Sequence, residues 1–435
     1  MLSSILFILL LIIGIGLFTI NVRKIISNIR LGRDVNRSDR KAERWKTMAK
    51  VALGQSKMVS RPVAGALHII IYVGFIIINI EVLEIILDGI FGTHRMFAPI
   101  LGGLYDFLIS GFEILAIGVL VGCVIFLIRR NIIRLKRFTS GELDGWPATD
   151  ANVILIAEII LMSLFLTMNA ADQILQERQY GHYIQAGSFP ISSMIVPFLS
   201  GLSENALVAI ERGAWWFHIV GIFAFLNYVP YSKHFHIFLA FPNTWYSNLE
   251  AKGGFNNLES VTTEVKLMMD PSATPPSASD APSRFGAKDV RDLTWKNLMD
   301  AYSCTECGRC TSSCPANITG KILSPRKIMM DTRDRLEIVG KNIAKHGPEH
   351  DDGKSLLHDH ISPEELWACT SCNACVEECP VNIDPLSIII DMRRYLVMEE
   401  SNSPSELNGM FTRIENNGAP WQFSPADRMK WTEES

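Results

Sequence analysis

Two stretches of the 435-residue chain hold eight of its nine cysteines at a spacing suited to metal chemistry. Each stretch reads C-x2-C-x2-C-x3-C-P, which is the spacing of chains that bind two [4Fe–4S] clusters. In such chains the fourth cysteine of each run ligates the other cluster. The spacing therefore predicts two crossed ligand sets: Cys304, Cys307, Cys310 and Cys379 around one cluster, and Cys369, Cys372, Cys375 and Cys314 around the other.

Other uses of these cysteines fit less well. A structural zinc site needs a tetrahedron of four ligands and does not call for this longer run. A disulfide framework needs an oxidising compartment, whereas the orientation argued below places both runs in the cytoplasm. The ninth cysteine, Cys123, lies in an apolar stretch and is interpreted as a packing residue.

The apolar residues are concentrated in the first half of the chain. Hydrophobic residues make up 48% of the sequence, and five long apolar runs lie within residues 1–245, at 2–20, 63–87, 101–128, 152–170 and 207–231. Each is long enough to span a bilayer as a helix. The first run lacks the basic start and the cleavage site of a signal peptide, so it too is interpreted as a span. The sequence predicts a five-helix transmembrane bundle.

Loop charges predict how this bundle is oriented. The loop 21–61 carries twelve Lys and Arg against three Asp and Glu, and the loop 129–137 is also basic. The loops 89–100 and 171–206 carry one arginine each, Arg95 and Arg178. Because basic loops stay in the cytoplasm, the N-terminus is expected outside and both cysteine runs inside. The chain is expected in the bacterial inner (cytoplasmic) membrane.

The second half has the composition of a soluble protein. Residues 246–285, which include a Pro/Ser/Ala-rich stretch at 271–283, predict a flexible linker. Residues 286–400 predict an α-helical ferredoxin domain, because helical patterns fill the 54 residues between Cys314 and Cys369. Residues 401–435 predict an extended tail. The whole chain is expected to be all-α.

Histidines near the predicted spans could bind haem. His68 lies near the start of span two, and His236 lies at the end of span five. Because these two spans are antiparallel, the two histidines should lie at similar depth. They therefore predict a bis-histidine haem b site. His218 lies five helical turns before His236 and would share its face of one helix. The position on span two where a second ligand of the same haem is expected is occupied by Ile78. His218 could therefore be a haem ligand without a second histidine, a partner of His68 or a quinone contact. His234, beside Lys233, is interpreted as a solvated or hydrogen-bonded residue.

Several carboxyl groups also fall within the predicted spans. Glu113 lies near the middle of span three and is a candidate for carrying quinone-linked protons, while Glu158 lies inside span four. Glu81, Glu84 and Asp88 crowd the outer end of span two and are interpreted as interfacial. No catalytic residue is otherwise predicted.

The first half resembles a known haem protein. The segments Trp216-Phe-His218-Ile-Val-Gly, Val229-Pro-Tyr-Ser-Lys-His-Phe-His236 and Phe241-Pro242 resemble span five of the respiratory nitrate reductase gamma subunit, a di-haem b anchor. The resemblance covers roughly residues 1–245 and implies that His218 and His236 bind haem. The family has two further ligands on span two, of which one matches His68 and the other falls on Ile78. It therefore implies one haem b between His68 and His236, with a second possible.

The second half resembles the C subunit of heterodisulfide reductase and the iron–sulfur part of electron-transfer-flavoprotein:quinone oxidoreductases. The resemblance covers residues 285–431 and rests on four motifs: Asp292-Leu-Thr-Trp-Lys-Asn-Leu-Met-Asp-Ala-Tyr-Ser-Cys304, Leu323-Ser-Pro-Arg-Lys327, Asp391-Met-Arg-Arg-Tyr395 and Glu415-Asn-Asn-Gly-Ala-Pro-Trp421. Longer members carry a catalytic domain with Cys-Cys-Gly motifs. Since no Cys-Cys-Gly occurs here, that domain is expected on a separate partner chain.

Together these patterns predict a quinone-linked iron–sulfur oxidoreductase subunit. Two [4Fe–4S] clusters and haem b would carry electrons between a cytoplasmic partner, such as an electron-transfer flavoprotein, and membrane quinone, with delivery to quinone preferred. The alternative is a non-catalytic anchor subunit of a heterodisulfide reductase-like complex. Arg309, Arg326 and Lys327 lie near the first cysteine run and are interpreted either as a docking surface for an acidic partner or as a solvated face.

Overall fold

A computed structural model describes residues 1–270, 272, 284–422 and 424–433. The fold is all-α, as predicted, and the described residues contain no strand. The helices are α1 Leu2–Ile29, α2 Lys41–Met48, α3 Pro62–Phe91, α4 Ala98–Leu101, α5 Gly103–Leu127, α6 Trp146–Glu177, α7 Val196–Leu199, α8 Glu204–Tyr228, α9 His236–Trp245, α10 Glu259–Met269, α11 Trp295–Ser303, α12 Arg309–Ser312, α13 Pro315–Ile318, α14 Pro325–His346, α15 Leu356–Asp359, α16 Pro363–Trp367, α17 Ala374–Glu378, α18 Pro385–Met398 and α19 Ser405–Asn417.

Five of these helices, α1, α3, α5, α6 and α8, are long and apolar enough to cross a membrane, which confirms the predicted number. They extend beyond the apolar runs because polar residues at their ends continue the helix. The helix α6 packs against both α5 and α8, while α3 packs on α5. The helix α1 lies outside and touches α3 closely, since a Cβ at Gly89 would come within 2.7 Å of the Phe7 ring.

The fifth span does not continue to His236, which corrects the expectation that His218 and His236 share one helix. The helix α8 ends at Tyr228, and two single 3-10 turns, Val229–Tyr231 and Lys233–Phe235, precede α9. Pro230 lies in the first turn, where its ring blocks the hydrogen bonding of a continuing α-helix. His236 therefore begins a new helix, which packs against α2 and α11.

The domain of residues 284–398 packs against the end of the bundle that carries the basic loops. Asn28, at the end of α1, donates to the Tyr302 hydroxyl at 2.9 Å. The backbones of Arg33 and Leu293 pair at 2.8 Å. The side chains of Ile25, Val229 and Phe235 extend into the hydrophobic core of this domain. The core of this domain thus includes side chains of the membrane half, while the bundle keeps a separate core of its own.

The predicted linker and tail contain helices. In the linker, α10 spans Glu259–Met269, and residues 271 and 273–283 lie outside the described residues. The tail, expected to be extended, forms α19 over Ser405–Asn417. Leu407, Phe411 and Ile414 recur at helical spacing there, and Gly418, with φ +65°, ends the helix.

Candidate iron–sulfur and histidine sites

The two cysteine runs adopt the same local backbone. Glu306 and Gly308 have positive φ in the first run, and Ser371 and Asn373 have positive φ at the equivalent positions of the second. A short helix follows in each run, and these helices, α12 and α17, pack against each other. At Gly308 a side chain is also excluded, because a Cβ would meet the Arg326 guanidinium at 2.5 Å. The repeated turns direct the thiols of both runs towards the interface between them.

Thiols of the two runs lie near one another. Burial, followed by the nearby Cys307, Cys304, Cys379 and Cys375 thiols, raises the pKa of Cys310 well above its usual range. Burial also raises the pKa of Cys375. The nearby Asp384 carboxyl, followed by the Cys369 and Cys314 thiols, raises that pKa further. Cys310 thus lies near thiols of both runs, and Cys375 lies near Cys314 of the first run. The crossed ligand sets stay a prediction.

The buried thiols need a metal to ionise. Burial raises the pKa of Cys304 to about 12 and that of Cys379 to about 11, whereas binding to a metal deprotonates a thiol. Within the described residues, no three His, Cys, Asp or Glu side chains converge on one ion. A [4Fe–4S] cubane does not require such convergence, since each thiolate binds a different iron. The donor set thus fits two clusters.

The two predicted groups are similarly buried except at one thiol. Cys304 and Cys379 are buried in the group with three thiols from the first run, and Cys314 and Cys375 are buried in the other. Cys372, in the second group, is the exposed thiol of the eight. Backbone N–H groups donate to a sulfur in each group, from Ile383 to Cys379 at 3.3 Å and from Ser371 to Cys369 at 3.4 Å. The first group lies next to the membrane half, since Lys57 donates to the Cys379 carbonyl at 3.2 Å.

The first run is attached directly to the turn that holds the histidines. Glu306 pairs with Lys233 and with Arg333, the latter at 2.9 Å. Although burial opposes it, these two cations keep the pKa of Glu306 below its usual range. The backbone carbonyl of Lys233 accepts from His236 Nδ1 at 3.0 Å. A short chain of contacts therefore joins the first run to His236.

Four histidines line one cavity of about 270 Å³ between the spans: His68, His218, His234 and His236. The rings of His68 and His236 are 6.5 Å apart between centroids, and those of His234 and His236 are 5.6 Å apart. His68 Nδ1 and His234 Nε2 are buried without a hydrogen-bond partner in the described structure. The cavity thus collects more imidazoles than the predicted pair.

His234 is not the solvated residue that was expected. The turn Lys233–Phe235, capped by the Ser232 hydroxyl, directs its ring into the cavity beside Phe225. Burial, with His236 and His68 nearby, lowers its pKa to about 3. The short His-x-His spacing of residues 234–236 was the available sequence signal.

His218 lies further along the same cavity. Its Nδ1 bonds to the Leu161 carbonyl at 3.0 Å, which leaves Nε2 as the lone-pair nitrogen. Ile78, where the resemblance places a second ligand, is buried in the cavity wall. Cys123 is a buried wall residue of the same cavity.

Glu113, the predicted proton carrier, is occupied by hydrogen bonds. It accepts from the backbone N–H groups of Ile191 and Ser192 at 2.8 and 3.1 Å, from Asn169 at 3.1 Å and from the Ser192 hydroxyl. These donors anchor the loop between α6 and α8. The geometry favours a structural role for Glu113.

Comparison with known proteins identifies the cysteine-rich part. Residues 303–383 match the 4Fe–4S dicluster domain family. This dicluster domain accounts for all eight cysteines of the two runs. No solved structure was found to match the chain.

Three curated relatives are similar to this chain over different shares of its length. The probable iron–sulfur-binding oxidoreductase FadF of Bacillus subtilis is 29% identical over 100% of this chain and 61% of its own length. The EtfAB:quinone oxidoreductase of Syntrophomonas wolfei is 28% identical over 92% of the chain and 55% of its own length. The heterodisulfide reductase C subunit of Methanosarcina acetivorans is 36% identical over 23% of the chain and 49% of its own length. The chain thus spans roughly half to three-fifths of these relatives. The resemblance of residues 1–245 to the nitrate reductase gamma subunit stays a prediction.

Arginines of the dicluster domain bind the basic loops of the membrane half, which corrects both interpretations of Arg309 and Arg326. Arg309 is buried and donates to the Lys57 carbonyl at 3.0 Å. Arg326 is also buried and donates to the Arg137 carbonyl and to Glu142, each at 2.7 Å. Lys327 pairs with Asp331 and Glu365 within the domain. Sequence position alone could not show that these cations face the bundle.

Proposed function

We propose that this chain is a membrane-bound oxidoreductase subunit that carries electrons between a cytoplasmic redox partner and membrane quinone. The observation that supports it most directly is the contact of the first cysteine run with the histidine turn through Glu306 and Lys233. The name of the Syntrophomonas relative, an EtfAB:quinone oxidoreductase, supports an electron-transfer flavoprotein as partner and quinone as substrate. Delivery of electrons to quinone is the proposed direction.

The partner would exchange electrons at the second thiol group. Cys372 is the exposed thiol among the eight, and Arg393 holds its loop by donating to the Leu366 carbonyl at 2.6 Å. The first group lies next to the membrane half, so it suits the inner position. When bound, the clusters and haem supply one-electron transfer. The order of sites along the molecule thus leads from the outer surface of the dicluster domain to the histidine cavity.

His68 and His236 are the proposed ligands of haem b. Their ring centroids lie 6.5 Å apart, so these two residues would hold the haem, which would supply one-electron transfer. Lys233 fixes the Nδ1–H tautomer of His236 through its carbonyl and so leaves Nε2 to bind metal. His68 Nδ1 is buried without a hydrogen-bond partner in the described structure, so no protein group competes for it.

His218 would serve the outer part of the cavity. Its Nδ1 is bonded to Leu161, so its Nε2 would bind an iron or accept a hydrogen bond from the hydroxyl of the quinol that is formed. Tyr72, whose hydroxyl is buried without a partner in the described structure, lies in the same cavity. These two groups would orient the quinone ring within apolar walls.

Haem and iron per polypeptide test this proposal. The full chain, extracted from membranes without oxygen, should hold about eight irons in clusters by its two-cluster motif and at least one haem by pyridine haemochrome. His68→Ala and His236→Ala should lose that haem, while His346→Ala, an exposed control, should keep it. A wild-type chain without haem would refute the haem assignment.

A second candidate is an anchor and electron-transfer subunit of a heterodisulfide reductase-like complex, whose Cys-Cys-Gly domain lies on another chain. The 36% identity to the Methanosarcina acetivorans protein over 102 residues favours it. The two candidates differ in whether the chain alone delivers electrons to quinone. Reoxidation of the dithionite-reduced chain by a soluble quinone, followed by cluster absorbance, supports the first candidate. No reoxidation with fully loaded clusters supports the second.

A further inference from the structure

A buried polar cluster lies at the end of the bundle opposite the dicluster domain. Its carboxyl groups come from three spans and surround a cavity of about 20 Å³, which is room for one water. The carboxylates are Glu81, Glu84, Asp88, Asp172 and Glu211. Glu81, Glu84 and Asp88, which were interpreted as interfacial, lie at this end of the bundle and are buried within the protein. The fold encloses them beneath the loop 92–102.

Most of these carboxylates have the donors that an ionised group requires. Asp88 accepts from the backbone N–H of Arg95 at 2.8 Å and from Thr93 at 2.5 Å. Glu84 accepts from the Tyr105 hydroxyl at 2.9 Å and the Phe97 N–H at 2.8 Å. A buried carboxylate with such donors can stay charged.

The remaining two carboxylates lie on other spans, and each of them pairs with an arginine. Glu211 accepts from the Tyr183 hydroxyl at 2.9 Å and pairs with Arg212. One oxygen of Asp172, Oδ2, accepts from Arg95 Nε at 2.6 Å. Both arginines of the cluster are therefore already engaged.

Glu81 is the exception. It is 3% exposed, none of the described hydrogen bonds reaches it, and its Oε2 is buried without a partner. Asp172 Oδ1 and His94 Nδ1 are also unpartnered among the described residues. These atoms line the same small cavity.

The charges around Glu81 do not balance if every carboxyl is ionised. Five carboxylates face two arginines, Arg95 and Arg212, and Glu113 adds a further carboxylate through its contact with Asn169. His94 does not help, because burial and Arg95 lower its pKa to about 3 and keep it neutral. A buried excess of like charge is removed most simply by binding protons.

We propose that Glu81 binds an exchangeable proton, and that a water in the cavity connects it to Asp172 Oδ1 and His94. The proton would leave Glu81 Oε2 for the water while the water gives one to Asp172 Oδ1, so that no charge is created or lost. His94 Nε2 lies 3.5 Å from Asp172 Oδ1, and its ring contacts His182 at 5.3 Å between centroids. This route leads from the bundle interior to the outer loops.

The site also lies beside the histidine cavity. Ile78 lines that cavity and precedes Glu81 by about one helical turn on α3. Glu81 is thus placed between the proposed electron-transfer site and the outer surface. The proton site itself does not depend on the proposed function.

Labelling with dicyclohexylcarbodiimide tests the proposal on the unmodified full chain. This reagent attacks protonated carboxyl groups in apolar surroundings, and fragmentation of the peptide between Arg61 and Arg95 distinguishes the three acids that it contains. We expect the adduct on Glu81, decreasing as the pH is raised, with Glu84 and Asp88 unlabelled. Labelling of Glu84 or Asp88 without Glu81 would overturn the proposal.

Infrared spectroscopy provides the deciding measurement if the reagent does not enter. The wild-type chain should show a protonated-carboxyl band that shifts in D2O. Glu81→Gln, which imitates the neutral acid, should lose that component, and Glu204→Gln, at a half-exposed position on the same side, should keep it. Intact cluster spectra establish that each variant is folded. If Glu81→Gln does not fold, Glu81→Ala replaces it. An unchanged band in the folded Glu81 variant would contradict the proposal.

Discussion

Glu306, two residues after the first cysteine, forms a buried ion pair with Lys233, which immediately precedes His234 in the histidine turn. The two side chains are 2% and 9% exposed. Arg333 supports Glu306 from α14, and the Lys233 backbone N–H donates to Asp150 of α6 at 3.0 Å. The pair therefore ties the dicluster domain, the histidine turn and a membrane span at one point.

Replacing Lys233 should separate assembly from electron transfer. Lys233→Met leaves Glu306 buried with one cation instead of two, and we expect a loss of about 3 kcal/mol in unfolding free energy. Iron content should be unchanged. Reoxidation of the reduced clusters by quinone should slow about tenfold, which corresponds to an increase of about 1.4 kcal/mol in the activation free energy. Stability is measured by thermal unfolding and the rate by stopped-flow absorbance. Lys233→Arg, which keeps the charge, is the control. A Met variant as fast as wild type would show that this contact is not on the electron path.

Paired cysteine variants should reveal the crossed ligand sets. Cys304→Ser with Cys379→Ser removes two thiols from one predicted group and should leave the other cluster intact. Cys304→Ser with Cys314→Ser removes one thiol from each group and should disturb both clusters. Electron paramagnetic resonance of the reduced chain and iron content distinguish these results. Cys123→Ser, outside both runs, should retain both clusters. If the 304/314 pair spares one cluster, the sets are not crossed.

Arg326 should be essential for seating the dicluster domain on the bundle. Its guanidinium is 1% exposed and bonds the Arg137 carbonyl and the Glu142 carboxylate. Arg326→Met would leave the Arg137 carbonyl without its donor and Glu142 with the Ser324 hydroxyl alone, and we expect a loss of about 3 kcal/mol. Lys341→Met, whose exposed side chain pairs with Glu337, should cause no measurable change, because exposed ion pairs contribute little. Thermal unfolding of the two variants is compared, and equal midpoints would contradict the assignment.

His94 should make the protein less stable in mild acid. Its pKa in the folded chain is about 3, lowered by burial and by Arg95, whereas an unfolded histidine takes a proton below about pH 6.5. Between these values the unfolded state binds more protons, so stability falls as the pH falls. From pH 7 to pH 5 the wild type should lose about 2 kcal/mol that His94→Gln does not lose.

Unfolding midpoints at the two pH values give this difference. His346→Gln, at an exposed position, should follow the wild type. A His94→Gln variant with the same pH dependence as wild type would show that His94 is charged in the folded state.

The prediction of an all-α chain with five long apolar helices needed only local information. Within a membrane, a run of apolar residues must form all the hydrogen bonds of its backbone N–H and C=O groups internally. Only a helix forms them within one segment. The positions of the histidines were harder. Pro230 ends the fifth span before His236, and the following turn directs His234 into the cavity. A prediction that assumed one continuous helix over residues 218–236 could show neither feature.

The sequence by itself determined the composition of the two cysteine runs and the number of spans, because cluster ligation and membrane crossing depend on spacing within short segments. The tertiary structure alone decided that Glu306 meets Lys233, that Arg309 and Arg326 face the bundle, and that Glu81 is enclosed without a donor. Those relationships join residues far apart in the chain. They follow from how helices pack, because burial and charge pairing are properties of the assembled fold.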